Sequence, residues 1–179
     1  MCCELLGLPV IDRKRGKHLG RVDGLLYDPD KAEFLGLIIR RGGVMPRTRY
    51  LPREQVEVFG EDALLVAGKD AVAVIHMPSM AEWFRSLRPA KALCGTPVVT
   101  AGGRWLGTIR DLVVDVERGS VEGYLVTDGL PDILVGRSRF LSHQDIVLAG
   151  EDVMFARSEP DLGDCRGLEA GELSAGDLS

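Results

Sequence analysis

The chain has 179 residues and a mass of 19.5 kDa, which leaves room for one ordinary domain or two very small ones and excludes a large multidomain enzyme. With 45% apolar and 27% charged residues it can build a core. The net charge of −5 resides wholly in 158–179, where Glu159, Asp161, Asp164, Glu169, Glu172 and Asp177 face only Arg166. The remaining body is balanced, so no global basic field draws the chain onto nucleic acid or an anionic membrane.

Four cysteines, Cys2, Cys3, Cys94 and Cys165, include no C-x-x-C and stand near no histidine at ligand spacing. They predict neither a disulfide framework nor a zinc site. No charge-free run reaches the roughly 18 residues of a membrane span. A cytoplasmic, reducing location is therefore expected.

Taken in chain order, the predicted elements occur twice. Gly7-Leu8-Pro9-Val10 returns as Gly95-Thr96-Pro97-Val98, and the stretch from Leu19-Gly20 through Asp28 to Gly36 returns as Leu106-Gly107 through Asp115 to Gly123. Arg47-Thr48-Arg49-Tyr50-Leu51 returns as Arg137-Ser138-Arg139-Phe140-Leu141, and Gly60-Glu61-Asp62 as Gly150-Glu151-Asp152. A collinear series of this kind indicates duplication. Within each copy, apolar and β-branched runs bounded by turn residues predict short strands. The first pair is Leu19–Tyr27 and Leu106–Val114, closed at Asp28-Pro29-Asp30 and Glu117-Arg118-Gly119. Phe34–Ile39 and Val121–Val126 follow, then Arg49–Leu51 and Arg139–Leu141, Val56–Phe59 and Ile146–Ala149, and finally Ala63–Val66 and Val153–Ala156. Five or six short strands in so few residues bury their faces best by curling the sheet on itself.

The order Gly-x-Pro-Val, Leu-Gly-x-[VI], an Asp-closed strand, a Gly-centred strand and Arg-[YF]-Leu resembles the PRC-barrel family. That barrel occurs in the cytoplasmic part of the photosynthetic reaction-centre H subunit, in ribosome-maturation factors and in small stand-alone bacterial proteins. The resemblance implies an all-β chain of two tandem small barrels, at 7–68 and 95–157. The sequence departs from the family's pattern in two ways, with no membrane anchor expected before the barrel as in the H subunit and no N-terminal domain like that of the ribosome-maturation factors; no shared role is assigned to Asp111, because Gly24 stands at its place in the first copy.

Between the copies, 69–94 reads as a linker. Ser79 and Glu82 have capping-box spacing, and Met80, Trp83, Phe84 and Leu87 recur at helical intervals, predicting a short amphipathic helix. The acidic 158–179 segment, rich in Gly, Ser and Ala, is expected to be a disordered tail.

Phosphate loops, nucleophile elbows and zinc-protease motifs are absent from the sequence. His18, His76 and His143 are scattered, and the acid pairs Asp28/Asp30 and Asp115/Glu117 read as hairpin residues repeated with the fold. No catalytic, cofactor-binding or metal-ligating residue is assigned, and no cofactor is expected. Features present in one copy only are the better guide to function. The first copy has the Gly-flexible basic stretch with Arg40, Arg41, Arg47, Arg49 and Arg53, whereas the second has an apolar loop with Leu130, Ile133, Leu134 and Val135. The copies carry net charges of +2 and −3. These residues are the candidate partner-binding set, for another protein or self-association, with RNA or a ribosomal particle as the alternative through Arg forks. The expected function is a non-catalytic interaction, adaptor or assembly module.

Overall fold

A computed structural model describes residues 2–41, 47–74, 88–90, 93–129, 137–150 and 152–166. The chain divides into two compact units, one built from 2–93 together with 114–122, the other from 94–113 with the chain from 123 onward. The predicted linker helix and the residues Leu130, Ile133, Leu134 and Val135 lie outside the described residues.

In the first unit a short helix α1 (Cys2–Leu5) precedes β1 (Pro9–Asp12), β2 (Lys17–Asp28), β3 (Glu33–Arg41), β4 (Arg47–Pro52), β5 (Val56–Phe59) and β6 (Leu64–Val66). Their order in the sheet is β5-β6-β1-β2-β3-β4. Every contact is antiparallel except β1 with β6, which is parallel. Chain connectivity forces this sheet to curl. Its outer strands β4 and β5 are joined only by the three-residue 3₁₀ turn Arg53–Gln55, a connection that spans about 14 Å at most. Laid flat, the outermost of these strands would stand roughly 24 Å apart.

The second unit repeats the plan with β9 (Pro97–Thr100), β10 (Trp105–Asp115), β11 (Ser120–Thr127), β12 (Arg137–Ser142), β13 (Ile146–Ala149) and β14 (Met154–Ala156). A 3₁₀ turn, His143–Asp145, again joins the outer strands. Core positions correspond one to one: Val10 with Val98, Leu19 with Leu106, Val22 with Ile109, Leu25 with Leu112, Leu37 with Tyr124, Leu51 with Leu141, Leu64 with Met154 and Val66 with Ala156. All are buried, and each large one contributes about 1.5–3 kcal/mol. Where Ala156 replaces the larger Val66, other positions such as Tyr124 supply more volume, as a close-packed interior requires.

Turn acids are repeated as well. Asp28 Oδ1 accepts the amides of Asp30 at 3.0 Å and Lys31 at 3.1 Å, and Asp115 Oδ1 accepts those of Glu117 at 2.9 Å and Arg118 at 2.8 Å. These carboxylates hold the hairpins in side-chain-to-backbone turns. At the preceding turn Asp12 accepts the amides of Lys14 and Arg15, and Thr100 accepts that of Arg104.

Two features depart from the reading as contiguous copies. First, the end of the β10–β11 hairpin is part of the first unit. Ser120 pairs with Glu33, the Phe34 amide donates to Gly119 O at 2.8 Å, and the Val121 amide donates to Ala32 O at 2.7 Å. Second, the tail expected to be disordered begins as a strand, β15 (Leu162–Arg166), which pairs antiparallel with β12. The first unit uses β7 (Ala73–Val74) in the same way against β4. An open edge of unpaired N–H and C=O groups needs a partner. Backbone groups supply it, so acidic, Gly-containing composition does not prevent pairing. A further two-residue strand, β8 (Arg88–Pro89), pairs with β2.

Candidate interaction surface

The basic residues of the first copy do not form one free cluster. Arg40, on β3, is bonded to Asp23 of β2. That hydrogen bond, with the carboxylate's charge, holds the guanidinium above its ordinary pKa. Arg53 donates from Nη1 to the carbonyls of Glu117 at 2.9 Å and Val116 at 3.4 Å, and its guanidinium lies over Gly119. Arg49 is half-buried, and its Nε has no hydrogen-bond partner among the described residues. Arg41 is exposed at the end of β3, opposite Arg47 in the ladder. Arg40 and Arg53 are thus committed to groups of their own unit.

A surface that the sequence reading did not single out lies on the second unit. Ladder pairing places Leu148 opposite Phe155, Phe155 opposite Val99, and Val99 opposite Trp105. Directly opposed residues share a face of the sheet, so these four form one row across β13, β14, β9 and β10. Their sequence neighbours Met154, Ala156, Val98, Thr100 and Leu106 point into the core. The row points outward, with Trp105 54% exposed, Leu148 57% and Phe155 37%. Val147, pushed out where the β13 register shifts, adds a side chain 64% exposed. Four large apolar side chains in one continuous stretch are unusual on a surface that meets only water.

The first copy carries a partly polar counterpart of this row. The equivalent ladder runs Val58, Leu65, Ile11 and His18. Val58 alone is an exposed large apolar residue there, while the exposed His18 and Lys17 stand at the Trp105 end. Glu57 replaces Val147 and pairs with Arg13 at 3.5 Å across the face. Comparing the two copies position by position is the sequence signal that would have found the surface, because His18 against Trp105 and Glu57 against Val147 are visible without coordinates.

Titratable groups of the second unit are engaged with one another. The Tyr124 hydroxyl lies 3.2 Å from His143 Nδ1, and burial pushes the His143 pKa down. Asp145, almost wholly buried, is paired with Arg157 at 2.6 Å, and the Arg157 amide donates to Asp145 O at 2.8 Å. Cys94 donates its thiol to Arg110 O at 3.3 Å, and burial, with Asp111 nearby, raises its pKa. Among the described residues no group of three or more His, Cys, Asp or Glu side chains is placed to hold a metal ion. No helix among them is long and apolar enough to cross a membrane.

Two curled sheets of matching strand order, glycine positions and core residues define a tandem β-barrel-domain protein. The family model for the PRC-barrel domain matches twice, over residues 2–72 and 88–162. The chain belongs to the PRC-barrel family. Comparison with curated proteins gave no match.

Proposed function

We propose that the chain is a non-catalytic interaction module that holds another protein against the outer sheet face of its second unit. The observation carrying this reading is the exposed row Leu148–Phe155–Val99–Trp105 with Val147, set against the first copy, where His18 stands in place of Trp105 and Glu57 in place of Val147 while Val58, Leu65 and Ile11 stay apolar. Apolar surface gains free energy when removed from water, at about 25 cal/mol per Å², and aromatic anchors are the side chains from which interface energy comes.

Support for a role without catalysis comes from how the ionisable groups are used. Asp12, Asp28 and Asp115 hold turns, Asp145 holds Arg157, and His143 meets Tyr124. The protein-binding reading is also favoured over the RNA alternative, because Arg40 and Arg53 already serve Asp23 and two backbone carbonyls. A photoreactive residue at position 148, irradiated in the native cell, tests the proposal. A defined protein adduct that disappears on Trp105→Lys is the expected result. No adduct, or one indifferent to Trp105→Lys, refutes it.

A further inference from the structure

The geometry points to a second molecule of this same chain as the occupant of the apolar row, giving a two-fold dimer in which the β13-β14-β9-β10 faces pack on one another. This inference rests on the reading of the row as an interaction surface and names its partner. Two observations select that partner.

The first is area. A large side chain exposes roughly 150–250 Å² when free, so the fractional exposures of Trp105, Val147, Leu148 and Phe155 amount to about 400 Å² of apolar surface. A standard interface covers about 800 Å² per partner, and somewhat more than half of that area is apolar. The row therefore supplies most of the apolar centre of one complete interface. The half-buried Val99 lies within it.

The second is charge. Strand β14 has the exposed acid Asp152 two residues before its first residue, Met154, and the base Arg157 directly after its last. Arg157 keeps more than half of its side chain in solvent while it holds Asp145. A two-fold axis lying along the row stacks Phe155 on Phe155 of the second molecule and runs the two β14 strands antiparallel. Arg157 of one molecule then falls opposite Val153 of the other, one residue from its Asp152, and the contact occurs twice. An isologous interface requires such self-complementarity, and opposed charges at its rim fix the register of the faces. The first copy lacks the means for the same contact: Glu57 and Arg13 lie across its face, and Lys17 and His18 end its row.

Sedimentation of the full chain tests this. Interfaces of standard size have dissociation constants from micromolar downward, so wild-type protein at about 100 μM sediments as a dimer. Leu148→Glu and Trp105→Lys each remove a central anchor and weaken the dimer by roughly 30-fold or more. Both residues are exposed, so far-ultraviolet circular dichroism stays unchanged. Val58→Glu, the matching change in the first copy, leaves the dimer intact. Asp152→Lys places like charges beside Arg157 and weakens association with a dependence on salt. A wild-type chain monomeric at that concentration overturns the proposal, and so does a dimer equally insensitive to Leu148→Glu and Trp105→Lys. If the chain is monomeric yet the adduct at position 148 contains a different protein, the dimer fails while the interaction reading stands. If no adduct forms either, both fail.

Discussion

Replacing Gly119 with alanine probes the least expected element of the architecture, the membership of 114–122 in the first unit. Gly119 has φ +74°, a left-handed conformation that costs an L-residue about 1–2 kcal/mol. A Cβ there would lie 2.5 Å from Arg53 Nε and 2.9 Å from its Cζ. The guanidinium must move, which forfeits its 2.9 Å hydrogen bond to Glu117 O and the longer one to Val116 O. A hydrogen bond from a charged group is worth about 1.5–3 kcal/mol, and the lower figure applies because Arg53 is only half-buried. Gly119→Ala is therefore expected to cost about 3 kcal/mol in urea unfolding of the intact chain. In an Arg53→Ala background no side chain obstructs the new methyl, and the same substitution costs only the conformational part. The double-mutant cycle should show coupling of about 1.5 kcal/mol. Additivity within about 0.5 kcal/mol would refute the contact and with it the anchoring of the hairpin end.

The Gly-centred strands supply a matched pair. A Cβ at Gly36 would meet Leu51 O at 2.4 Å, and one at Gly123 would meet Leu141 O at 2.3 Å. Both are unyielding backbone contacts, so Gly36→Ala and Gly123→Ala should each lower stability by about 1–3 kcal/mol or more, read as a drop in Tm. For His143, whose pKa burial lowers from 6.5, the unfolded chain binds a proton that the folded chain gives up. Its contribution is complete above about pH 6.5 and is lost as pH falls through the lowered folded value, so His143→Gln should flatten the decline of Tm on acidification. Tyr50 has the opposite sign. Burial first, then the charges of Glu54 and Glu33, raise its pKa to about 12, and its hydroxyl donates to Leu35 O at 2.7 Å. Its contribution is present below about pH 10 and is lost as pH rises toward 12. Tyr50→Phe should remove that alkaline loss, together with the late-titrating absorbance at 295 nm.

Sequence periodicity located the strands well because each is short, bounded by turns and repeated. Leu19–Tyr27 lies inside β2 and Val56–Phe59 coincides with β5. Other features left no mark in the side chains. The pairing of β15 with β12, and of β7 with β4, is made by backbone groups, so an edge partner can be acidic or only two residues long. The hairpin end at 114–122 has the same turn chemistry as 28–32 whichever unit it completes. Its assignment depends on contacts of Arg53 and Glu33 more than sixty residues distant. The outward row was hidden for another reason. Both faces of β9 and β14 are apolar, so Val98-Val99 and Met154-Phe155-Ala156 read as continuous core runs.

Duplication also separates what holds the fold from what is left for function. Features kept in both copies have structural partners: the Asp28 and Asp115 turns, the paired glycines and the core ladder from Val10 and Val98 onward. Position 53 and its counterpart 143 show a divided case, since each opens a 3₁₀ turn. Arg53 fastens a distant hairpin end, while His143 meets the Tyr124 hydroxyl. The outer face diverges without any such internal partner. Val147, Leu148, Phe155 and Trp105 are among the most exposed large apolar side chains described, whereas at the corresponding places the first copy has Glu57, paired with Arg13, the apolar Val58 and Leu65, and His18. Val147, Leu148 and Trp105 each keep more than half of their surface in solvent, so a charged residue there costs little packing, whereas Phe155 is mostly covered. On the proposed interaction, a stability screen of the chain should find charged substitutions at Val147, Leu148 and Trp105 nearly silent while an association assay does not.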